Sequence, residues 1–135
     1  MEKLSRDEAE KKLRDWADVV ELDTERELFK NIVEELRYPV QLKKIDFEEE
    51  TETFKLVLSS KIEGRAIAEI KSCDFGAKRV LQKFKDNESI DQARAMIAAY
   101  TGMSEGEIKQ LKDRDISRIN AIILGFITQT DPKKG

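Results

Sequence analysis

Apolar residues in the first third of the chain recur at helical spacing. Leu13, Trp16 and Val20 follow Ser5-Arg-Asp-Glu8, an S-x-x-E capping box, and predict a helix over about residues 6–20. Thr24-Glu-Arg-Glu27 repeats that signature ahead of Leu28, Phe29, Ile32, Val33 and Leu36, which wrap one face of a second helix. Pro39 disfavours helical geometry at Tyr38, so this helix is expected to stop near Arg37. Val40, Leu42, Ile45 and Phe47 are then spaced for extended chain, with Lys43-Lys44 as a candidate bulge. Phe54, Leu56 and Leu58 alternate with period two, and Glu63-Gly64 offers a hairpin turn before Arg65, Ile67 and Ile70. The second of these strands is the weaker signal, because Ala66, Ala68 and Glu69 suit a helix equally well.

Helical signals return at Asp74, which can cap a helix bearing Ala77, Val80, Leu81 and Phe84. Ser89-Ile-Asp-Gln92 precedes Ala93, Met96, Ile97 and Tyr100, and Gly102 closes that helix. Ser104-Glu-Gly-Glu107 starts a short helix through Leu111, and Asp115 opens a last one carrying Ile116, Ile119, Ile123, Phe126 and Ile127. The pattern therefore predicts an α+β, predominantly helical fold. It places a small antiparallel β-hairpin unit before a bundle of about four short helices, with an N-terminal helical arm. The expected division is an acidic arm over 1–37, an α+β body over 38–128 and a flexible tail over 129–135.

Charge sharpens that division. Residues 1–37 hold 12 acidic and 8 basic side chains, whereas 38–135 hold 16 and 17. Across 135 residues, 39% are charged and 39% apolar, and the net charge is −3. That balance is too apolar and too periodic for a disordered chain, and it carries no basic field of the kind nucleic-acid binders use. The absence of histidine removes Ser-His and Cys-His nucleophile pairs, imidazole-dependent zinc sites and histidine acid–base catalysis. Cys73 is the only cysteine, so no disulfide can close within the chain, which favours a reducing compartment. Met1–Arg14 lacks a signal-peptide apolar core, and the longest apolar run, Ala121–Ile127, falls far short of the roughly 20 residues that span a bilayer. A soluble intracellular protein with no membrane association is expected.

Candidate chemistry is sparse. Glu48, Glu49, Glu50 and Glu52 read as a hydrated link rather than a catalytic pair, which would need a pocket to split two pKa values. Asp113 and Asp115 bracket a helix start and read as caps rather than as a calcium loop. No glycine spacing fits a phosphate cradle. No catalytic residue, metal site or cofactor is indicated. Lys71, Lys78, Arg79, Lys83 and Lys85 form the one basic concentration, and they define the alternative function, a small nucleic-acid-binding regulator using a basic helix. The final helix is apolar nearly all round, since Ile122 and Leu124 flank the stripe. It is either a central core helix or a partner surface.

The block from Ala93 to Ile119, with Thr101-Gly102, Ile108, Leu111 and Asp115 leading into Ile119, Ile123 and Phe126, resembles bacteriophage tail assembly chaperones. The upstream turn at Glu63-Gly64, with Ile67 and Ile70, is similar to that family's strand-glycine-strand opening, so the resemblance spans about residues 54–128. It implies a non-enzymatic protein of the bacterial host cytoplasm that coats the tape measure protein and brings tail-tube protein to it. Under it, Ile119, Ile122, Ile123, Phe126 and Ile127 become the partner-binding residues; the nearly all-round apolar final helix itself predicts that the chain self-associates. The terminal Pro132-Lys-Lys-Gly135 is compatible with the A-rich codon run at which such genes can shift frame.

Overall fold

In a computed structural model, which describes residues 3–71 and 89–127, the chain is an α+β fold that is mostly helical. Helices α1 (Arg6–Val19) and α2 (Glu27–Gln41) lead into strands β1 (Ile45–Glu48), β2 (Thr53–Ile62) and β3 (Arg65–Ile70). Helices α3 (Ser89–Thr101), α4 (Glu105–Lys109) and α5 (Asp113–Ile122) follow, and α5 widens into a π-helical turn at Ile123–Ile127. The strands form an antiparallel sheet in the order β1-β2-β3.

Local chemistry sets most of these boundaries. The Ser5 and Ser104 capping boxes form as their sequences dictate, each hydroxyl accepting from the N3 backbone N–H while the N3 glutamate accepts from the cap N–H. Gly102 (φ +71°) ends α3 and Gly64 (φ +79°) makes the β2–β3 turn. Two ends depart from expectation. The Thr24 box does not cap α2, which starts at Glu27 behind Arg26 with no side-chain cap, while the carboxylate of Asp23 accepts from Glu25 N–H instead. Nor does Pro39 stop α2. The helix runs on to Gln41, so Val40 and Leu42 are not in a strand. Burying Pro39, Val40 and Gln41 offsets the lost backbone bond, and the Gln41 amide holds Leu4 C=O at 3.2 Å. Lys43-Lys44 is not a bulge but the helix end. Lys43 (φ +60°) is left-handed, and the N–H groups of Lys43 and Lys44 donate to the carbonyls of Val40 and Pro39.

One core joins all the elements, and the segment expected to be an arm is part of it. Leu13 and Trp16 of α1 and Phe29, Ile32 and Leu36 of α2 are buried with Phe54, Leu56, Ile70, Ile97 and Ile119. Phe54 lies at its centre, 4.4 Å from Phe47, 4.9 Å from Phe126 and edge-on to Trp16 at 5.9 Å between ring centroids. The apolar stripes of α1 and α2 are therefore consumed internally, and the acidic charge of 1–37 covers their outer side.

Gly125 lies directly against Ile32 of α2. A Cβ there would press into the Ile32 side chain, 2.7 Å from Cγ1 and nearer still to Cδ1. Gly125→Ala should cost about 1–3 kcal/mol of overpacking, less the roughly 1 kcal/mol that alanine gains in helix propensity. Ile32→Val removes the closest atom. The double variant should therefore lose less stability in chemical denaturation than the two single losses summed.

Candidate functional site

The final helix, the expected partner surface, is enclosed. Ile119, Ile122 and Ile123 are fully buried, Phe126 is 4% exposed and Ile127 is half-buried. Of the five residues expected to bind a partner, four are thus core, because α2, β2 and the aromatic cluster cover the helix from several sides. Only Leu124, at 50% exposure, projects substantially from this stretch. Glu48, Glu49, Glu50 and Glu52 lie exposed on and after β1, as a hydrated link requires. Lys78, Arg79, Lys83 and Lys85, the helix expected to carry them and the 129–135 tail fall outside the described residues, while Lys71 is exposed.

Asp115 does something the sequence pattern does not suggest. It is not the residue that opens α5 but lies inside its first turn, fully buried, and its carboxylate reaches across to β2. It accepts the N–H groups of Ser59 at 3.0 Å and Ser60 at 2.8 Å, and the Ser60 hydroxyl at 2.5 Å; the Ser60 Oγ in turn accepts Lys112 N–H at 2.7 Å. The sheet explains why those donors are free. Between the pairs Val57–Ile67 and Ile62–Arg65, β2 runs through Leu58–Lys61 while β3 supplies only Ala66. The ladder breaks, and Asp115 takes over the unmatched N–H groups at the positive end of α5. Beside it Arg118 is 7% exposed; burial lowers its pKa while the Asp115 charge raises it, and its Nη1 has no hydrogen bond among the described residues. A serine at position 60, where the strand alternation calls for an inward side chain, is the available signal that a buried acceptor stands opposite.

The same break opens the surface. A shallow groove of about 540 Å³ runs along the hairpin, lined by Val57, Leu58, Ile62 and Ala66 together with Ser60, Lys61, Gly64 and Arg65. Next to it Val57 and Ile67 face each other across β2 and β3, 41% and 44% exposed. Ile67 thus lies on the outer face, and Ala68 and Ile70 supply the core side of β3. Arg65 Nε donates to Glu107 at 2.7 Å, fixing the hairpin to α4 and holding the Glu107 carboxyl below its ordinary range. A depressed carboxyl adds stability above its unfolded pKa and loses it as pH falls through the folded value. Acidification below the ordinary 4.5 should therefore release Arg65 and loosen the α4 end of the hairpin, which side-chain NMR titration of Glu107 would follow.

A second groove, about 450 Å³, lies between α1 and α2 and is lined largely by charged residues, with Arg37 and Glu10 paired at 3.7 Å. Among the described residues no group of His, Cys, Asp or Glu converges to hold a metal ion, and no helix is long and apolar enough to cross a membrane. Comparison of the chain with protein-family models, curated proteins and solved structures finds no match in any of the three.

Proposed function

We propose that the chain is a non-enzymatic assembly chaperone of the phage-tail type, which binds the tape measure protein and promotes tail-tube assembly in the cytoplasm of the bacterial host. The resemblance over residues 54–128 supports the class of partner. The observation that carries the reading is the exposed Val57–Ile67 pair beside an apolar groove, a patch that a charged, soluble exterior leaves open. This moves the contact surface from the final helix, whose faces are spent on the core, to the outer side of the β2–β3 hairpin. An extended apolar segment of a long, aggregation-prone protein fits such a shallow, ungated surface better than a small molecule would, since small ligands favour enclosed pockets.

The test is co-expression with the tape measure protein of the same tail-gene cluster. The native chain should keep that protein soluble and co-purify with it. Val57→Lys with Ile67→Glu, opposite charges at directly paired positions, should abolish both effects while leaving the melting temperature within a few degrees, because the two side chains are already 41% and 44% exposed. Retention of the partner by this double variant would remove the hairpin from the interface, and no interaction with the native chain would end the chaperone reading.

A further inference from the structure

Cross-strand partners project from the same side of a sheet, so the outer face of this one reads rung by rung. Val57 and Ile67 form one rung, and the apolar groove lined by Leu58, Ile62 and Ala66 continues from it toward the hairpin turn. In the other direction, about 7 Å along the strands, the next rung joins Asp46, Lys55 and Glu69. Lys55 is taken up by Glu48 at 3.4 Å, and neither Asp46 nor Glu69 makes an ion pair among the described residues. Exposed Glu49, Glu50 and Glu52 follow on the link, and Lys71 offsets one of these charges. The hairpin end is not acidic in this way, for Lys61 is exposed there, Glu63 lies in the turn and Arg65 is spent on Glu107. We propose that this face takes an extended segment of a partner chain that is apolar over one half and basic over the other. Its apolar half lies on Val57, Ile67 and the groove, and its lysine or arginine side chains lie over Asp46 and Glu69. The inference rests on reading this face as the contact surface and adds the chemistry of what it contacts.

The apolar rung supplies the area to bury, and the charges beside it choose the occupant. An acidic segment would meet like charge one rung away. A wholly apolar segment would cover Asp46 and Glu69 without giving either carboxylate a partner, which costs free energy. A basic end satisfies both and fixes the direction in which the segment lies, because the same end placed toward the turn would meet Lys61 instead. A second copy of the chain suits the face less well. Its own outer face is a rigid sheet that would touch the rung without entering the groove, and two residues fall far short of the roughly 800 Å² per partner that a standard interface buries. An extended segment follows the rung into the groove and needs no comparable area.

Two synthetic peptides, each about as long as the 10-residue β2, test it on the full chain. Both alternate valine and isoleucine with threonine over one half; the other half carries lysines in the first peptide and glutamates in the second. In NMR titrations the lysine peptide should move the amide signals of Val57, Ile67 and Glu69 and bind about tenfold more tightly than the glutamate peptide at low salt, a gap that narrows as salt is added. Asp46→Asn with Glu69→Gln, which keeps an acceptor for Phe47 N–H, should weaken the lysine peptide about fivefold with an unchanged melt. Val57→Lys with Ile67→Glu should abolish its binding. Equal affinity for the two peptides, no binding of either, or lysine-peptide binding that survives Val57→Lys with Ile67→Glu overturns the proposal. So does sedimentation of the native chain as a dimer that this last variant separates, because the occupant is then a second copy. The peptides carry no tape measure sequence, so the two readings fail separately. A chain that prefers the lysine peptide but ignores the tape measure protein loses the chaperone reading alone, and one that holds the tape measure protein but binds both peptides equally loses this inference alone.

Discussion

Replacing Asp115 by alanine is expected to cost about 3–5 kcal/mol, the range seen when one partner of a buried charged contact is removed. The variant leaves two backbone N–H groups and the Ser60 hydroxyl without their acceptor, at about 1–3 kcal/mol for each buried group left unpaired. It also takes the opposing charge from Arg118. Stability of a domain this size is of the order of 5–15 kcal/mol, so a large part of the fold's margin would go. Ser60→Ala should cost less, about 1–2 kcal/mol, because the carboxylate still holds both N–H groups while Lys112 N–H loses its acceptor. Urea denaturation of the two variants should give that order. A midpoint for Asp115→Ala equal to that of the native chain would show that α5 does not depend on its hold on the β2 break.

Ile123→Asp is expected to unfold the chain. The side chain is fully enclosed, and an unpaired carboxylate there would be cut off from water, a penalty of several kcal/mol comparable to the whole stability. Its neighbour supplies the control. Leu124 is half-exposed, and Leu124→Asp should cost under about 1 kcal/mol, mostly through an acidic charge near a helix C-terminus. Circular dichroism should therefore show loss of helix for the first and a near-native melt for the second. Were the helix a partner surface instead, Ile123→Asp would leave a folded single copy.

These two sites also show what the residue pattern can and cannot convey. Periodicity of apolar positions places α1, β2, the hairpin turn and the helices bearing Ile97, Ile108 and Ile119, because each signal is local: a cap, a glycine or a stripe. Helix ends without glycine escape it. Glu21 and Lys43 take the left-handed position at the ends of α1 and α2, and nothing in their side chains announces it. Pro39 announces a stop that the burial of Val40 overrides. The burial of the final helix escapes the pattern for a related reason. An all-round apolar helix looks underemployed until α1 and α2 are known to fold onto the sheet, and their acidic composition suggests a detached arm instead. Asp115 is visible as a helix-start residue, but its tie to Ser59 and Ser60 spans more than fifty positions and is set by the sheet's broken register.

On the proposed reading the hairpin carries the contacts and the final helix carries the core. Residue-resolved amide exchange of the full chain, alone and with the tape measure protein, addresses it most directly. The expected result is new protection across Val57–Glu69, with exchange at Asp113–Ile127 unchanged. Protection gained over Asp113–Ile127 while Val57–Glu69 exchanges as before would contradict it.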